Sequence, residues 1–236
     1  SGRLLGLSDL IEVCGSIDGV ERIRYTTSHP LEMTDDLIEA YGHVPQLVSH
    51  LHLPVQSGSN DILTKMKRNY SREEYIEIIN KLHKVRPNIK ISSDFIVGFP
   101  NETDFDFQQT MDLIEEVRFD ASFSFIYSAR PGTPASQLED KVPLEIKKER
   151  LYILQQRIDK LQLDYSNDLV NTIQRCLVTG VSKKDANQLQ ARTECNRVVN
   201  FDFQNINILG KLVDIDITKA YQRSLTGKIL NSKGVS

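Results

Sequence analysis

The chain has 236 residues, 39% of them apolar and 26% charged, which suits a soluble globular protein of one large or two smaller domains and is too apolar for wholesale disorder. No stretch approaches the roughly 18 uncharged apolar residues of a membrane span, and residues 1–9 carry no apolar run of the kind a signal peptide needs. The net charge of −3 hides an asymmetry: residues 1–168 hold 19 Lys and Arg against 27 Asp and Glu, residues 169–236 hold 10 against 5, and a basic tail on an acidic body points to a polyanion partner.

In chain order, Ser8 to Val13 predicts a helix with Ser8 as its N-cap, and Arg22 to Thr27 a strand ending at Ser28-His29-Pro30. A helix over Thr34–Tyr41 and a strand over Val48–Val55 follow. Ser71 and Glu74 have capping-box spacing ahead of a helix to Val85, whose apolar stripe is Ile76, Ile79, Leu82 and Val85. Ile89 to Phe99 is the clearest strand, Asp106–Val117 a helix and Ala121–Tyr127 a further strand. Strands separated by helices in this way imply parallel βα units.

Leu144 to Leu169 forms a long connecting helix with an apolar stripe of Leu151, Leu154, Ile158, Leu161 and Tyr165. Its other face (Lys147, Lys148, Glu149, Arg150, Arg157, Lys160) is expected to be solvated. After Asn171 only short β segments appear, at 172–181, 188–193, 197–203, 211–221 and 225–230, enough for a small β-barrel that closes on itself.

Cys14, Cys176 and Cys195 are scattered, with neither zinc nor disulfide spacing, which favours a reducing, cytoplasmic setting. Cys14 falls in a helical pattern as a small buried hydrophobe. His50 and His52 share a strand face without a third ligand, so no metal is expected, and His43 and His83 read as surface residues. No nucleophile–histidine–acid set is placed for catalysis. The chain opens without Met, in a helix-like stretch, and is expected to be a piece of a longer protein.

Polar clusters close each predicted strand, where parallel βα proteins bind ligands. They are Thr26-Thr27-Ser28-His29-Pro30, Gln56-Ser57-Gly58-Ser59, Ser93-Asp94 with Gly98-Phe99-Pro100, and Tyr127-Ser128-Ala129-Arg130. Each also has a structural reading. Ser57-Gly58-Ser59 would cap the following helix, Asp94 would be a hydrogen-bonded carboxylate inside a barrel, Gly98-Phe99-Pro100 a sharp turn, and Arg130 half of an ion pair. Four clusters on one rim together predict a ligand pocket.

The runs His52-Leu53-Pro54-Val55-Gln56-Ser57-Gly58-Ser59, Ser93-Asp94-Phe95-Ile96-Val97-Gly98-Phe99-Pro100 with Glu102-Thr103, and Tyr127-Ser128-Ala129-Arg130-Pro131-Gly132-Thr133-Pro134 resemble the second half of the radical S-adenosylmethionine domain of tRNA methylthiotransferases. Arg192-Thr193-Glu194-Cys195-Asn196-Arg197-Val198-Val199-Asn200-Phe201 is similar to the core of their terminal TRAM domain, with Cys195 where Asn is common and Ala191 where Gly is common. The resemblance implies an α/β fold: a partial (β/α) radical-SAM barrel, an open TIM-like half barrel, over 1–143, a connecting helix over 144–168, and a small OB-like TRAM β-barrel over 169–236.

It also implies methylthiolation of C2 of N6-isopentenyladenosine at tRNA position 37, with S-adenosylmethionine and two 4Fe–4S clusters as cofactors. Gln56, Ser57, Ser59, Asp94, Ile96, Gly98 and Tyr127 would lie on the S-adenosylmethionine. Arg130, Lys183, Lys184, Arg192, Asn196, Arg197, Lys211 and Arg223 would lie on the tRNA anticodon stem-loop, with Phe201 stacking or, like Phe203, filling the barrel. The family's CxxxCxxC loop is not in this sequence, so the chain by itself is expected to hold no catalytic residue and to be inert without the N-terminal half of its own protein and an electron donor such as flavodoxin. The Arg192 to Phe201 stretch favours this specificity over the threonylcarbamoyladenosine methylthiotransferase and the ribosomal-protein branch. A non-catalytic RNA-binding module is the reading from another class.

Overall fold

The computed structural model describes residues 5–26, 29–183, 185–202 and 206–230. They fall into two compact units, Ser1–Ile158 and Asp159–Ser236.

The first unit runs α1 (Leu7–Gly15), α2 (Asp35–His43), β1 (His50–His52), α3 (Asn60–Lys65), α4 (Arg72–Val85), β2 (Lys90–Val97), α5 (Asp104–Val117) and β3 (Ala121–Ile126), and then the start of α6 (Leu144–Asn167). The strands pair in parallel in the order β1-β2-β3, with Leu51 beside Ile91 and Asp94 beside Phe123. Helix starts follow side-chain caps. Ser71 and Glu74 form the expected capping box on α4, and Thr103 and Asp106 form another on α5. On α1 the N-cap is Gly6 rather than Ser8, because the Ser8 hydroxyl is turned to Asp36.

Strand alternation sends Leu51, Leu53, Val55, Ile91, Phe95 and Val97 into the core. His50, His52, Ser92, Asp94, Ile96, Phe123 and Phe125 fall on the other face.

Several expectations need correction. The strand over 22–27 reduces to one parallel bridge, Ile23 to Leu47, held by the Ile23 amide on Gln46 O and the Val48 amide on Ile23 O; Thr27 and Ser28 lie outside the described residues. The strand over 48–55 shortens to three residues, because Pro54 has no amide to donate and Gln56 takes a left-handed backbone (φ 73°). Cys14 is half-buried, not core.

The polar face of α6 is the largest departure. Lys147 and Arg150 are buried, and Arg150 donates to the Glu102 carboxylate at 2.7 Å, to the Glu102 carbonyl at 3.0 Å and to Asp104 at 2.7 Å. Lys147 pairs with Asp140 and lies over the Tyr127 ring.

In the second unit, β4 (Ile173–Val181), β5 (Gln188–Arg192), β6 (Val198–Asp202), β7 (Leu212–Tyr221) and β8 (Ser224–Ile229) close into a barrel in the order β4-β5-β6-β8-β7. The inward residues Cys176, Val178, Leu189, Ala191, Val199, Phe201, Ile215, Ile217 and Leu225 are its core. Ala191 sits inside β5, so no tight turn precedes Arg192. Phe203 lies outside the described residues.

Candidate functional site

A cavity of about 740 Å³ opens at the carboxyl ends of β1–β3. Gln56, Asp94, Ile96, Phe99, Phe125 and Tyr127 form its walls, and Lys65, Lys67, Arg68 and Arg130 are its cations. The volume is that of an ordinary small-molecule site, which lies within roughly 300–1,000 Å³.

Gln56 enters because its left-handed backbone carries the chain across β2: its amide donates to Asp94 O and its carbonyl accepts from Ile96 N, both at 2.9 Å. Non-glycine residues held in this region often sit at ligand clamps. The Asp94 carboxylate lies 3.3 Å from His52 Nε2, and His52 Nδ1 lies 3.0 Å from Ser92 Oγ. His50 and His52 thus share a face, but His50 is within 2.9 Å of Arg24 instead. Among the described residues no group of three or more His, Cys, Asp or Glu could hold a metal ion.

Tyr127 packs edge-to-face on Phe99, and its hydroxyl is buried with no hydrogen-bond partner among the described residues. Buried hydroxyls in native proteins are nearly always satisfied, which sets this one apart among the described residues.

Ser57, Ser59 and Gly98 do not line the cavity. Ser59 caps α3 and donates to Asp106 at 2.6 Å, while Ser57 Oγ lies 3.3 Å from Thr110 Oγ1. A Cβ on Gly58 would stand 2.5 Å from Gln109 O, so this run splices the loop onto α5. Burial raises the Asp106 carboxyl, but hydrogen bonds from Ser59 and Thr103 outweigh it and hold the group below its usual value. Gly98 adopts φ 67°, and its amide donates to Glu102 at 2.8 Å. A Cβ there would meet the Lys147 side chain. Burial pushes Glu102 up, and the Gly98 amide and Arg150 offset only part of that rise.

Lys67 and Arg68 also line the cavity, and no strand-end motif marks them. The run Lys65-Met66-Lys67-Arg68 is the only trace of them in the sequence.

In the barrel, strand registers place the Thr193–Arg197 hairpin and the turn carrying Arg223 at one end, and Lys183 and Lys211 at the other. Arg192 donates to Asn196 O at 2.9 Å, and Asn196 is exposed with φ 69°. Arg197 is not available to a phosphate. It is buried, donating to Ser166 Oγ at 3.0 Å, Gln162 O at 3.3 Å and Cys195 Sγ at 3.1 Å. Phe201 is core and cannot stack on a base. Lys184 lies outside the described residues.

Parallel βα units with a strand-end cavity, followed by a small closed β-barrel, define a two-part α/β protein whose ligand site lies where parallel βα folds place it. Residues 4–114 match the Radical SAM superfamily and residues 168–230 match the TRAM domain. Curated relatives include the tRNA-2-methylthio-N(6)-dimethylallyladenosine synthases of Hahella chejuensis (57% identical over 98% of this chain and 52% of the relative), Alcanivorax borkumensis (58%, over 96% and 51%) and Marinomonas sp. (56%, over 96% and 50%). The chain is similar to these synthases over nearly its whole length and spans about half the length of the curated relatives it matches. A solved coproporphyrinogen III oxidase from Escherichia coli, titled a Radical SAM enzyme, aligns at 18% identity and a TM-score of 0.45 over 70% of this chain and 45% of its own, too slight a likeness to add to the fold.

Proposed function

We propose that this chain is part of an enzyme that methylthiolates C2 of N6-isopentenyladenosine at position 37 of tRNA. Residues 1–143 contribute the second half of a radical SAM barrel, 144–168 a connecting helix, and 169–236 an RNA-binding barrel. The observation that carries this is a strand-end cavity and a TRAM barrel in one chain that is 56–58% identical to curated synthases of that name.

The cavity fits an adenosyl ligand. Ile96, Phe99 and Phe125 offer apolar walls, Gln56 and Asp94 offer acceptors, and the Tyr127 hydroxyl offers an unused donor. S-adenosylmethionine held there supplies the radical chemistry of the superfamily. The chain's own residues orient it and exclude water, with His52 fixing the Asp94 carboxylate.

The residues present do not fit the 4Fe–4S clusters, because Cys14, Cys176 and Cys195 are far apart in sequence and no described ligand group of three exists. We assign the clusters to the remainder of the whole protein, which also covers the exposed β1–β3 face and takes electrons from a flavodoxin-like donor. The setting is the cytoplasm, where tRNA is found; among the described residues no helix is long and apolar enough to cross a membrane.

Expression of the whole protein in cells lacking their own synthase, followed by nucleoside mass spectrometry, tests the proposal. Formation of 2-methylthio-N6-isopentenyladenosine is expected. A methylthiolated threonylcarbamoyladenosine instead, or no change in either nucleoside, overturns it. This chain alone, reconstituted anaerobically with iron and sulfide, is expected to hold no stoichiometric cluster, and a stoichiometric one would remove the assignment of clusters to the remainder.

A further inference from the structure

We propose that Lys67 and Arg68, with Arg130, form a phosphate-binding rim at the cavity mouth that grips the backbone of the RNA strand carrying the target nucleoside; this rests on the reading that the protein acts on RNA.

Residues 1–168 are acidic as a whole, with 27 acids against 19 bases, yet the cavity reverses that balance. Its lining holds four cations and one acid. Lys65 is neutralised by Asp61, and Asp94 faces His52. That leaves Lys67, Arg68 and Arg130 with no acidic partner among the described residues. Acids are plentiful in this unit, so three unpaired cations at one opening create a local positive field that the net charge conceals, and concave walls focus it.

Two further observations favour a polyphosphate over a small carboxylate. Lys67 and Arg68 also line a second, polar hollow of about 440 Å³, whose one acid, Glu74, is held by the Ser71 amide in the α4 capping box, so the pair stands between two concavities. A single carboxylate is satisfied by one guanidinium, whereas cations spread over two segments and two hollows suit successive phosphates of an extended strand. Lys67 also takes φ 62° just past the end of α3, a position that favours glycine, and a lysine there places a charged side chain on the rim. The charge of Arg68 is felt locally: burial first, and then Arg68, hold the His29 imidazole below its ordinary pKa.

The test is fluorescence anisotropy of the 236-residue chain with a labelled RNA hairpin of anticodon stem-loop type, measured across a salt series. The K67A/R68A double variant is expected to bind about ten-fold more weakly and to flatten the log K against log salt slope by about 1.5, while K67R/R68K keeps the wild-type slope. If the rim variant binds RNA as wild type while K183A/K211A/R223A in the barrel loses it, the rim is overturned and the RNA reading stands. If the wild-type chain itself binds no RNA, the rim is overturned, and the RNA reading is decided by the nucleoside assay of the whole protein. If K67A/R68A loses binding of S-adenosylhomocysteine in calorimetry but keeps the RNA slope, the cations serve a small carboxylate and the proposal is overturned.

Discussion

Phe123 and Phe201 sit on strands with the same two-residue alternation, one in the open β1–β3 sheet and one in the closed barrel, yet the first is 63% exposed and the second 1%. In the open sheet, α-helices cover one face, and the other presents His52, Asp94, Ile96, Phe123 and Phe125 as an accessible surface. In the barrel the corresponding inward positions meet each other and become core. Closure, more than residue type, decides whether an inner strand face is packing or site. The two regions also use buried arginine alike. Arg150 ties the end of β2 to α6, Arg197 ties the β5–β6 hairpin to Gln162 and Ser166, and neither is free for a ligand.

The sharpest break of this comparison is a matched pair of truncations. Phe201→Ala should cost ~3–5 kcal/mol in the urea unfolding of the barrel, while Phe123→Ala should stay within about 0.5 kcal/mol in this chain. Equal costs would mean that the open face is packed in solution.

Next in size is Arg150→Met, which leaves Glu102 buried without its cation and should cost about 3–5 kcal/mol above neutral pH. Burial already pushes Glu102 up, and removing the guanidinium raises it further. At low pH the carboxyl is neutral and the loss small; as pH rises through its raised pKa an unpaired carboxylate forms and the loss grows. Urea midpoints at about pH 5 and pH 8 check the sign, and a pH-independent loss would show that packing of the arginine, not its charge, is what matters.

The smallest effect is that of Ser166→Ala, which removes one acceptor of Arg197 and should destabilise the barrel by about 1.5 kcal/mol, measured as a shift in its thermal midpoint. An unchanged midpoint would place the arginine's anchoring on its other partners, Gln162 and Cys195 among them.

Much of the architecture is legible in the sequence. The capping box Ser71–Glu74, the alternating run from Ile89 to Phe99 and the five short β segments after Asn171 are governed by local rules of hydrogen bonding and side-chain period, which act within a few residues. The charge split between body and tail is likewise a property of composition. The site was legible only in part. Gln56, Asp94, Ile96 and Tyr127 line the cavity, but Ser57 and Ser59 stand in the same motif and serve the packing of α3 and α5. Neighbours in sequence point to opposite sides of a strand or loop, so motif membership cannot separate ligand from scaffold.

What the sequence by itself determined is the set of local elements, their parallel βα order and the family resemblance of the strand-end runs. Only the tertiary structure decided which charges are buried. Lys147 and Arg150 look solvated on a helical wheel and become interior because Glu102 and Asp104, distant in sequence, pair with Arg150, and Asp140, in the turn ahead of the helix, pairs with Lys147. Arg197 is withdrawn from its expected role by Ser166 and Gln162 in the same way. Lys67 and Arg68 move the other way, from an unremarked basic run to the mouth of the cavity. Burial and ion pairing depend on contacts across the fold, which no local period encodes, and those contacts fix what each charged side chain does.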